Sequence, residues 1–311
     1  MTHSRLGAGD EFDAIRDMTA RLGDTAHGIG DDGALLDIPR GDRLVVSTDA
    51  FVENRHFREG WLTADEIGYR AVTGALSDLA AMAAHPLAIL WAVNIPSRWR
   101  SDLPLLTDGA RAAARAVNAK IIGGNLATSE ELSITTTVLG SVFTPLERRG
   151  AKLGDRLYIT GALGGPAMTL AALMSGRAPE SRHRVRFAKP VARILEARWL
   201  ADHGATAGLD ISDGLVGDAR HLAAASDVGL IIHVDRLPLI EGADSAIAAR
   251  SGEEYELLVA APSLDTSEFT KRFGLPLTEI GEVSEQGGVS FVDRGRAVDL
   301  GRGHDHLTPS K

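Results

Sequence analysis

Acidic residues recur in short clusters beside glycine or serine, each in a stretch that reads as the end of a strand. The clusters are Gly30-Asp31-Asp32-Gly33, Ser47-Thr48-Asp49, Ser77-Asp78 and Asp210-Ile211-Ser212-Asp213-Gly214. A carboxylate gains nothing from burial and is costly to bury without a partner. At a strand end it is well placed to hold a hard cation, because Mg²⁺ takes oxygen ligands and is commonly bound together with phosphate. The clusters occur in both halves of the chain, so the expected fold brings scattered aspartates together in one multi-metal phosphate site.

The chain has 311 residues, and at roughly 100–200 residues per domain this suggests two domains. Its 44% hydrophobic and 24% charged content fits an ordinary globular protein. Cysteine is absent, which excludes disulfides, thiolate metal sites and a thiol nucleophile. A net charge of −9 argues against nucleic acid as a partner, though not against phosphate, since divalent cations can invert the local sign. Apolar runs such as Pro86 to Val93 are too short to span a bilayer. Met1 to Asp13 has no apolar signal core, so the cytoplasm is the expected compartment.

Periodicity and turn chemistry predict a mixed α/β (α+β) chain. The first half reads as a helix from about Asp10, a strand over Arg43 to Ser47, a helix over Thr63 to Met82, and a strand over Leu87 to Ile95. There follow a helix from Ser101 to about Val117, a short strand at Lys120 to Gly123, and a strand over Leu132 to Phe143. Composition breaks at Pro145 to Gly150, which places a domain junction at 147. The second half opens with a strand over Asp155 to Thr160, a glycine turn and an Ala-rich helix to Met174. Arg177 to Lys189 is basic and aperiodic and reads as a loop. Helices from about Val191, over Leu215 to Ala225 and near Ser267 to Phe273 are then interleaved with five further strands, one of them over Tyr255 to Ala260.

Each motif admits a plain reading beside a functional one. Gly28-Ile29-Gly30-Asp31-Asp32-Gly33 satisfies G-x-G-x-x-G, but two aspartates would repel the pyrophosphate that a dinucleotide loop holds; it reads as a turn or, with the other clusters, as a metal site. Ser47 and Asp49 share a face on a strand. Asp78 lies in an apolar stretch, Leu76 to Met82, where it is either a helix-surface residue or a functional one. Ser212 and its amides either cap a helix or bind phosphate there. Gly123-Gly124-Asn125 permits close approach of a ligand or merely turns the chain. His56, Arg149 and the Glu253-Glu254 pair are ligand contacts or ordinary surface groups. The four tryptophans read as packing residues. Neither a G-x-x-x-x-G-K-[ST] loop nor H-E-x-x-H is present, so any ATP phosphates would be held through metals and strand-end loops.

Six co-linear motifs together resemble the thiamine-monophosphate kinase family, of the superfamily of aminoimidazole ribonucleotide synthetase and selenophosphate synthetase. They are Gly28 to Asp32, Ser47-Thr48-Asp49 with Val52 and His56-Phe57, Leu76 to Met82, Gly123-Gly124, Asp210 to Leu215, and Glu253 to Leu257. The resemblance implies two α/β domains, 1–147 binding metal and ATP and pairing into a barrel in a homodimer, and 148–311 completing the nucleotide and substrate site. It implies ATP-dependent phosphorylation of thiamine monophosphate to thiamine diphosphate, with several Mg²⁺ and without a general base. By motif position, Asp32, Ser47, Thr48, Asp49, Asp78, Asn125, Asp210 and Asp213 are the implied metal ligands. Gly124, Asn125, Arg149 and Ser212 are the implied nucleotide contacts, and His56, Glu253 and His304 face the thiamine phosphate.

The chain departs from the family pattern at several positions. Asn125 and Leu126-Ala127-Thr128 replace Asp and Thr-Thr-Arg, Glu254 replaces Asp, and Gly74 replaces Asn. In Gly303-His304-Asp305-His306-Leu307 an imidazole stands where the family has an aromatic ring. Two competing readings follow: a related enzyme that uses ATP on another acceptor, and a non-catalytic nucleotide or thiamine-phosphate binder.

Overall fold

The computed structural model describes residues 10–29 and 33–301. Asp32 and His304 therefore lie outside the described residues. The chain divides into two compact units, one running to Leu79 and resuming over Ala84–Thr144, the other taking Ala80–Ala83 and everything from Pro145 onward. The first ends at Thr144, against the 147 read from composition.

The first unit contains α1 (Asp10–Leu22), β1 (Arg43–Val52), α2 (Ala64–Ala81), β2 (His85–Ile95), α3 (Leu103–Ala116), β3 (Lys120–Thr128) and β4 (Ser133–Val142). Its sheet has the order β1-β4-β2-β3, antiparallel except for the parallel pair β2 and β3. Both β1 and β3 run further than expected, because Asp49 and Ala50 in β1 and Gly124, Asn125 and Ala127 in β3 are poor strand formers, a preference that pairing with a neighbouring strand overrides.

Register sorts these side chains onto two faces. Ser47, Asp49 and Phe51 share a face with Ile134, Thr136 and Val138 of β4, which are fully buried. Thr48 and Ala50 lie on the other face with Thr135, Thr137, Leu90, Ala92 and Asn125. On that second face Leu44, Val46 and Leu90 are exposed.

Helices α2 and α3 meet backbone to backbone. A Cβ on Gly68 would stand 1.9 Å from the Leu106 carbonyl oxygen, and a Cβ on Gly109 1.9 Å from that of Asp65. Any side chain there forces the helices apart. Beneath them lie Ile67, Leu76, Leu79, Ile89 and Leu106, all essentially inaccessible.

The second unit has a seven-stranded sheet, order β11-β10-β7-β9-β5-β8-β6. Its strands are β5 (Arg156–Thr160), β6 (Ala207–Asp210), β7 (Gly229–His233), β8 (Leu257–Ala261), β9 (Leu277–Ser284), β10 (Gly288–Asp293) and β11 (Arg296–Val298). Its helices are α4 (Gly165–Met174), α5 (Ser181–Ala188), α6 (Ile194–Asp202), α7 (Leu215–Ser226), α8 (Ser245–Arg250) and α9 (Thr266–Phe273). The segment expected as a loop, Arg177 to Lys189, contains α5. Its inward stripe is only His183, Phe187 and Ala188, too short to show as periodicity, and Arg186 is drawn in by ion pairing instead. Helix α8 and strand β11 likewise escape a sequence reading, being 6 and 3 residues long.

Helix α4 is capped from far away in sequence. Its N-cap Gly164 has no side chain, so Glu254 Oε1 accepts from the Gly164 amide at 2.5 Å and Ser251 Oγ from the Ala167 amide at 3.2 Å. These partners satisfy amide donors that every helix start leaves open.

Gly68→Ala is expected to destabilise the protein by about 1–3 kcal/mol through overpacking. A denaturant midpoint equal to that of the parent would show that α2 and α3 can separate without cost.

Candidate functional site

Two acidic residues of the first unit, Asp49 and Asp78, lie on the same side of its sheet as Ser47. Asp78, half-buried on α2, accepts a hydrogen bond from Ser47 Oγ at 2.5 Å. Asp49 is exposed two residues along the same face, its Oδ1 accepting from the Ala50 amide at 2.8 Å. Thr48 faces the opposite side, where its hydroxyl meets Thr137 Oγ1 at 3.0 Å. Asn125 is exposed on that opposite face as well. The sheet thus gathers Ser47, Asp49 and Asp78 and keeps the side chains of Thr48 and Asn125 away from them.

Gly124 lies in the same rung as Asp49, separated from it by Thr136 of β4 and Trp91 of β2. A Cβ on Gly124 would sit 2.0 Å from the Trp91 carbonyl oxygen, so glycine here serves strand packing. Ala26 bridges Ile121 in parallel fashion, and the chain enters the Gly28–Gly33 motif from beside β3, just before Gly123.

His56 is fixed by the turn that follows β1. Its Nδ1 accepts from the Val52 amide at 3.0 Å, so the ring proton of the neutral imidazole is on Nε2. The turn is anchored by Glu53, 2% exposed, whose carboxylate accepts from Arg98 Nη2 at 2.7 Å, Trp99 Nε1 at 3.2 Å and the Leu132 amide at 2.9 Å. Burial alone would raise the Glu53 carboxyl; the Leu132 amide, Arg98 and Trp99 outweigh it and hold it below the usual carboxylate range.

In the second unit, Asp210 ends β6, and Ser212 and Asp213 lead into α7. The third carboxyl of this group is Asp218, in the first turn of α7. Asp218 Oδ2 accepts from the amides of Ser212 and Asp213, each at 3.1 Å. Of the two readings of these residues, helix cap or phosphate site, neither foresees that an internal carboxylate engages the amides. Burial first, then the charges of Asp210 and Asp213, pushes the Asp218 carboxyl up to about 8. Sequence reading missed Asp218, although its position five residues after Asp213 at a helix start is a usable signal.

Crowded, buried carboxyls of this kind are a donor set that a hard cation would relieve. Among the described residues no three His, Asp or Glu side chains are grouped so as to hold a metal ion by themselves. The set therefore fits Mg²⁺ in its usual manner, with one or two carboxylates and the remaining positions filled by water and phosphate oxygens.

Glu253 stands directly against this loop, its amide donating to the Ser212 carbonyl at 2.7 Å. Both Glu253 and Tyr255 have left-handed backbones, at φ 55° and 54°. Arg149, by contrast, is not brought to Asp210. Glu147 accepts from the Gly208 amide, and Gly150 packs against the Thr206 carbonyl, so Arg149 flanks the opposite end of β6. At about 3.3 Å per residue, roughly 13 Å of strand separates Thr206 from Asp210. Arg149 is mostly exposed and pairs with Glu147 beside a shallow cleft of about 390 Å³.

Known proteins share the architecture and much of the sequence. The family of AIR synthase related proteins matches in both its parts, the N-terminal domain over residues 30–142 and the C-terminal domain over 152–294. The thiamine-monophosphate kinase of Salmonella typhimurium is 35% identical over 316 residues, covering 95% of each chain. The crystal structure of thiamine-monophosphate kinase from Stenotrophomonas maltophilia is 32% identical, with a TM-score of 0.81 over 94% of this chain and 98% of that one. The structure of AaThiL complexed with AMPPCP and TMP is 29% identical, with a TM-score of 0.77 over 87% of this chain and 89% of that one. With these motifs, these two units and relatives matching over nearly its whole length, the chain belongs to the thiamine-monophosphate kinase family of AIR synthase related proteins.

Proposed function

We propose that this protein transfers the γ-phosphoryl group of ATP to thiamine monophosphate, giving ADP and thiamine diphosphate, in the cytoplasm. The observation that carries the reading is the near full-length likeness to thiamine-monophosphate kinases, one relative having been solved with AMPPCP and TMP. Each unit supplies carboxylates suited to the chemistry. Phosphoryl transfer asks for positioning and charge neutralisation more than for covalent work. The acceptor is a phosphate oxygen that is already anionic, so no general base is needed.

In this reading Ser47, Asp49 and Asp78 would hold Mg²⁺ in the first unit, and Asp210 and Asp213 would hold Mg²⁺ in the second; Asp32 is a further ligand by motif position. Bound Mg²⁺ would offset the repulsion between two phosphate groups. Ser47 orients Asp78 through the 2.5 Å hydrogen bond. Thr48 and Asn125 join only from the other face of the sheet or through their backbone. By motif position Gly124, Arg149 and Ser212 are the nucleotide contacts, Ser212 through its hydroxyl because Asp218 engages its amide. His56 donates from Nε2 to the thiamine phosphate, Glu253 offers a carboxylate to the cationic thiazolium, and His304 stacks against the substrate.

The protein in this reading is a homodimer paired through the open face of the first unit's sheet. The support is apolar: Leu44, Val46 and Leu90 are exposed there, with Val46 directly opposite Leu139 of β4. Contiguous exposed apolar surface of that sort commonly marks an interface.

ADP release is expected only when ATP, Mg²⁺ and thiamine monophosphate are all present. Absence of turnover at saturating Mg²⁺ rejects the kinase reading, and turnover with a different phosphorylated or carboxylated acceptor alone replaces it. Asp49→Ala and Asp213→Ala are each expected to lower kcat on the order of 10²–10³-fold, as losses of electrostatic stabilisation do. Neither side chain is buried, so cooperative unfolding should persist; collapse of the fold would count against their assignment as ligands. Val46→Glu is expected to yield monomers in analytical ultracentrifugation, and an unchanged dimer would move the interface elsewhere.

A further inference from the structure

Glu256 has no solvent exposure, so it cannot touch a substrate, yet its carboxylate is gripped by two arginines. Its Oε1 accepts from Arg193 Nη2 and Arg186 Nη2, both at 2.5 Å. Its Oε2 accepts from Arg193 Nε at 2.8 Å and Thr160 Oγ1 at 2.7 Å. Arg193 therefore grips the carboxylate with two parallel N–H groups, the fork geometry that lysine cannot reproduce. Arg193 is itself only 7% exposed and is further held by Glu196 at 3.4 Å.

What this clasp fixes is main chain. The Glu256 carbonyl accepts from the Ile211 amide at 2.7 Å, the Tyr255 amide donates to the Ile211 carbonyl at 2.9 Å, and the Glu253 amide donates to the Ser212 carbonyl at 2.7 Å. These bonds continue the β6–β8 ladder past Asp210 and Leu257 through the two left-handed residues Glu253 and Tyr255. Left-handed backbone at residues other than glycine persists only where the surroundings over-determine it. Here the side chain of Glu254 is sunk into the start of α4, and that of Glu256 into the arginine fork. Glu253, between these anchors and Ser212, is left half-buried beside the acidic loop.

We infer that Arg193 is a positioning residue: by gripping Glu256 through its fork it sets the left-handed turn that presents Glu253 to the substrate, without touching substrate itself. The inference rests on the proposed kinase reading for its kinetic consequence. Its structural consequence, the protection of three amides, is independent of that reading.

Arg193→Lys keeps the charge and removes the fork. In steady-state assays of the full chain, the KM for thiamine monophosphate is expected to rise about tenfold while kcat stays within about threefold, the pattern of lost binding rather than lost chemistry. A variant that merely folded less well would show the opposite, a lower kcat at unchanged KM. Glu253→Gln should reproduce the KM shift, and the double variant should add nothing further, since residues acting as one unit are non-additive. In native-state hydrogen exchange the amides of Ile211, Glu253 and Tyr255 are expected to exchange about tenfold faster in Arg193→Lys, as for a local opening. Exchange in the interior of β8 should be unchanged. Additive KM effects, or full retention of those three amides' protection, overturn the inference. If the parent lacks turnover with thiamine monophosphate, the kinase reading fails, and the exchange measurement still decides whether Arg193 sets the turn. Should Arg193→Lys not fold, Glu256→Gln, which weakens the same clasp while keeping its shape, takes its place in both measurements.

Discussion

A carboxylate with no exposure is costly unless every lone pair is met and its charge is balanced. Glu256 meets both conditions through Arg193, Arg186 and Thr160. Those partners come from three places in the sequence: β5, α5 and the approach to α6. Thr160 also accepts from the Leu257 amide at 2.9 Å, so the same cluster fixes the side chain and the strand that carries it. Next to it, burial pushes the Glu254 carboxyl up to about 7, against the opposing hydrogen bonds of Ser251 and the Gly164 amide and the charge of Arg186. The loop bearing Glu253 is thus suspended from charged anchors, and its shape follows from ion pairing rather than from local turn preference.

The first unit obeys a simpler rule, the twofold alternation of a strand. Residues of Ser47-Thr48-Asp49 cannot all act from one side. Ser47 and Asp49 turn to the face where α2 contributes Asp78, and Thr48 turns to the face of Thr137 and Asn125. The departure of Asn125 from an acidic residue falls on the side away from Asp49 and Asp78, so those two carboxylates keep their surroundings regardless.

Much of the architecture was legible in the sequence, because it follows from periodicity. Helices α2, α3 and α7 and strands β2, β4, β5 and β8 fall within a few residues of their expected spans. The failures share a cause. Helix α5 shows no apolar stripe because it buries only His183, Phe187 and Ala188, while Arg186 is half-buried by pairing with a glutamate 70 residues away. Asp218 went unread because its significance depends on a turn that folds it back onto the Ser212 and Asp213 amides. The clustering of Ser47 with Asp78 was foreseeable as chemistry, while the separation of Arg149 from Asp210 along β6 required the strand pairing itself. In each case a long-range contact, absent from any local window, decided the outcome.

The distant capping of α4 has a consequence for the order in which the chain becomes ordered. During synthesis the helix sequence leaves the ribosome long before its caps, since Ser251 lies 84 residues beyond Ala167 and Glu254 lies 90 beyond Gly164. A ten-residue helix on its own is marginal in water. Until the segment before β8 has been made and has docked, α4 has open amides at its N-terminus and nothing to hold its first turn. This corner of the nascent second unit therefore cannot be completed before the segment through Glu254 has been made, and the helix start and the Glu253 turn depend on the same stretch of chain.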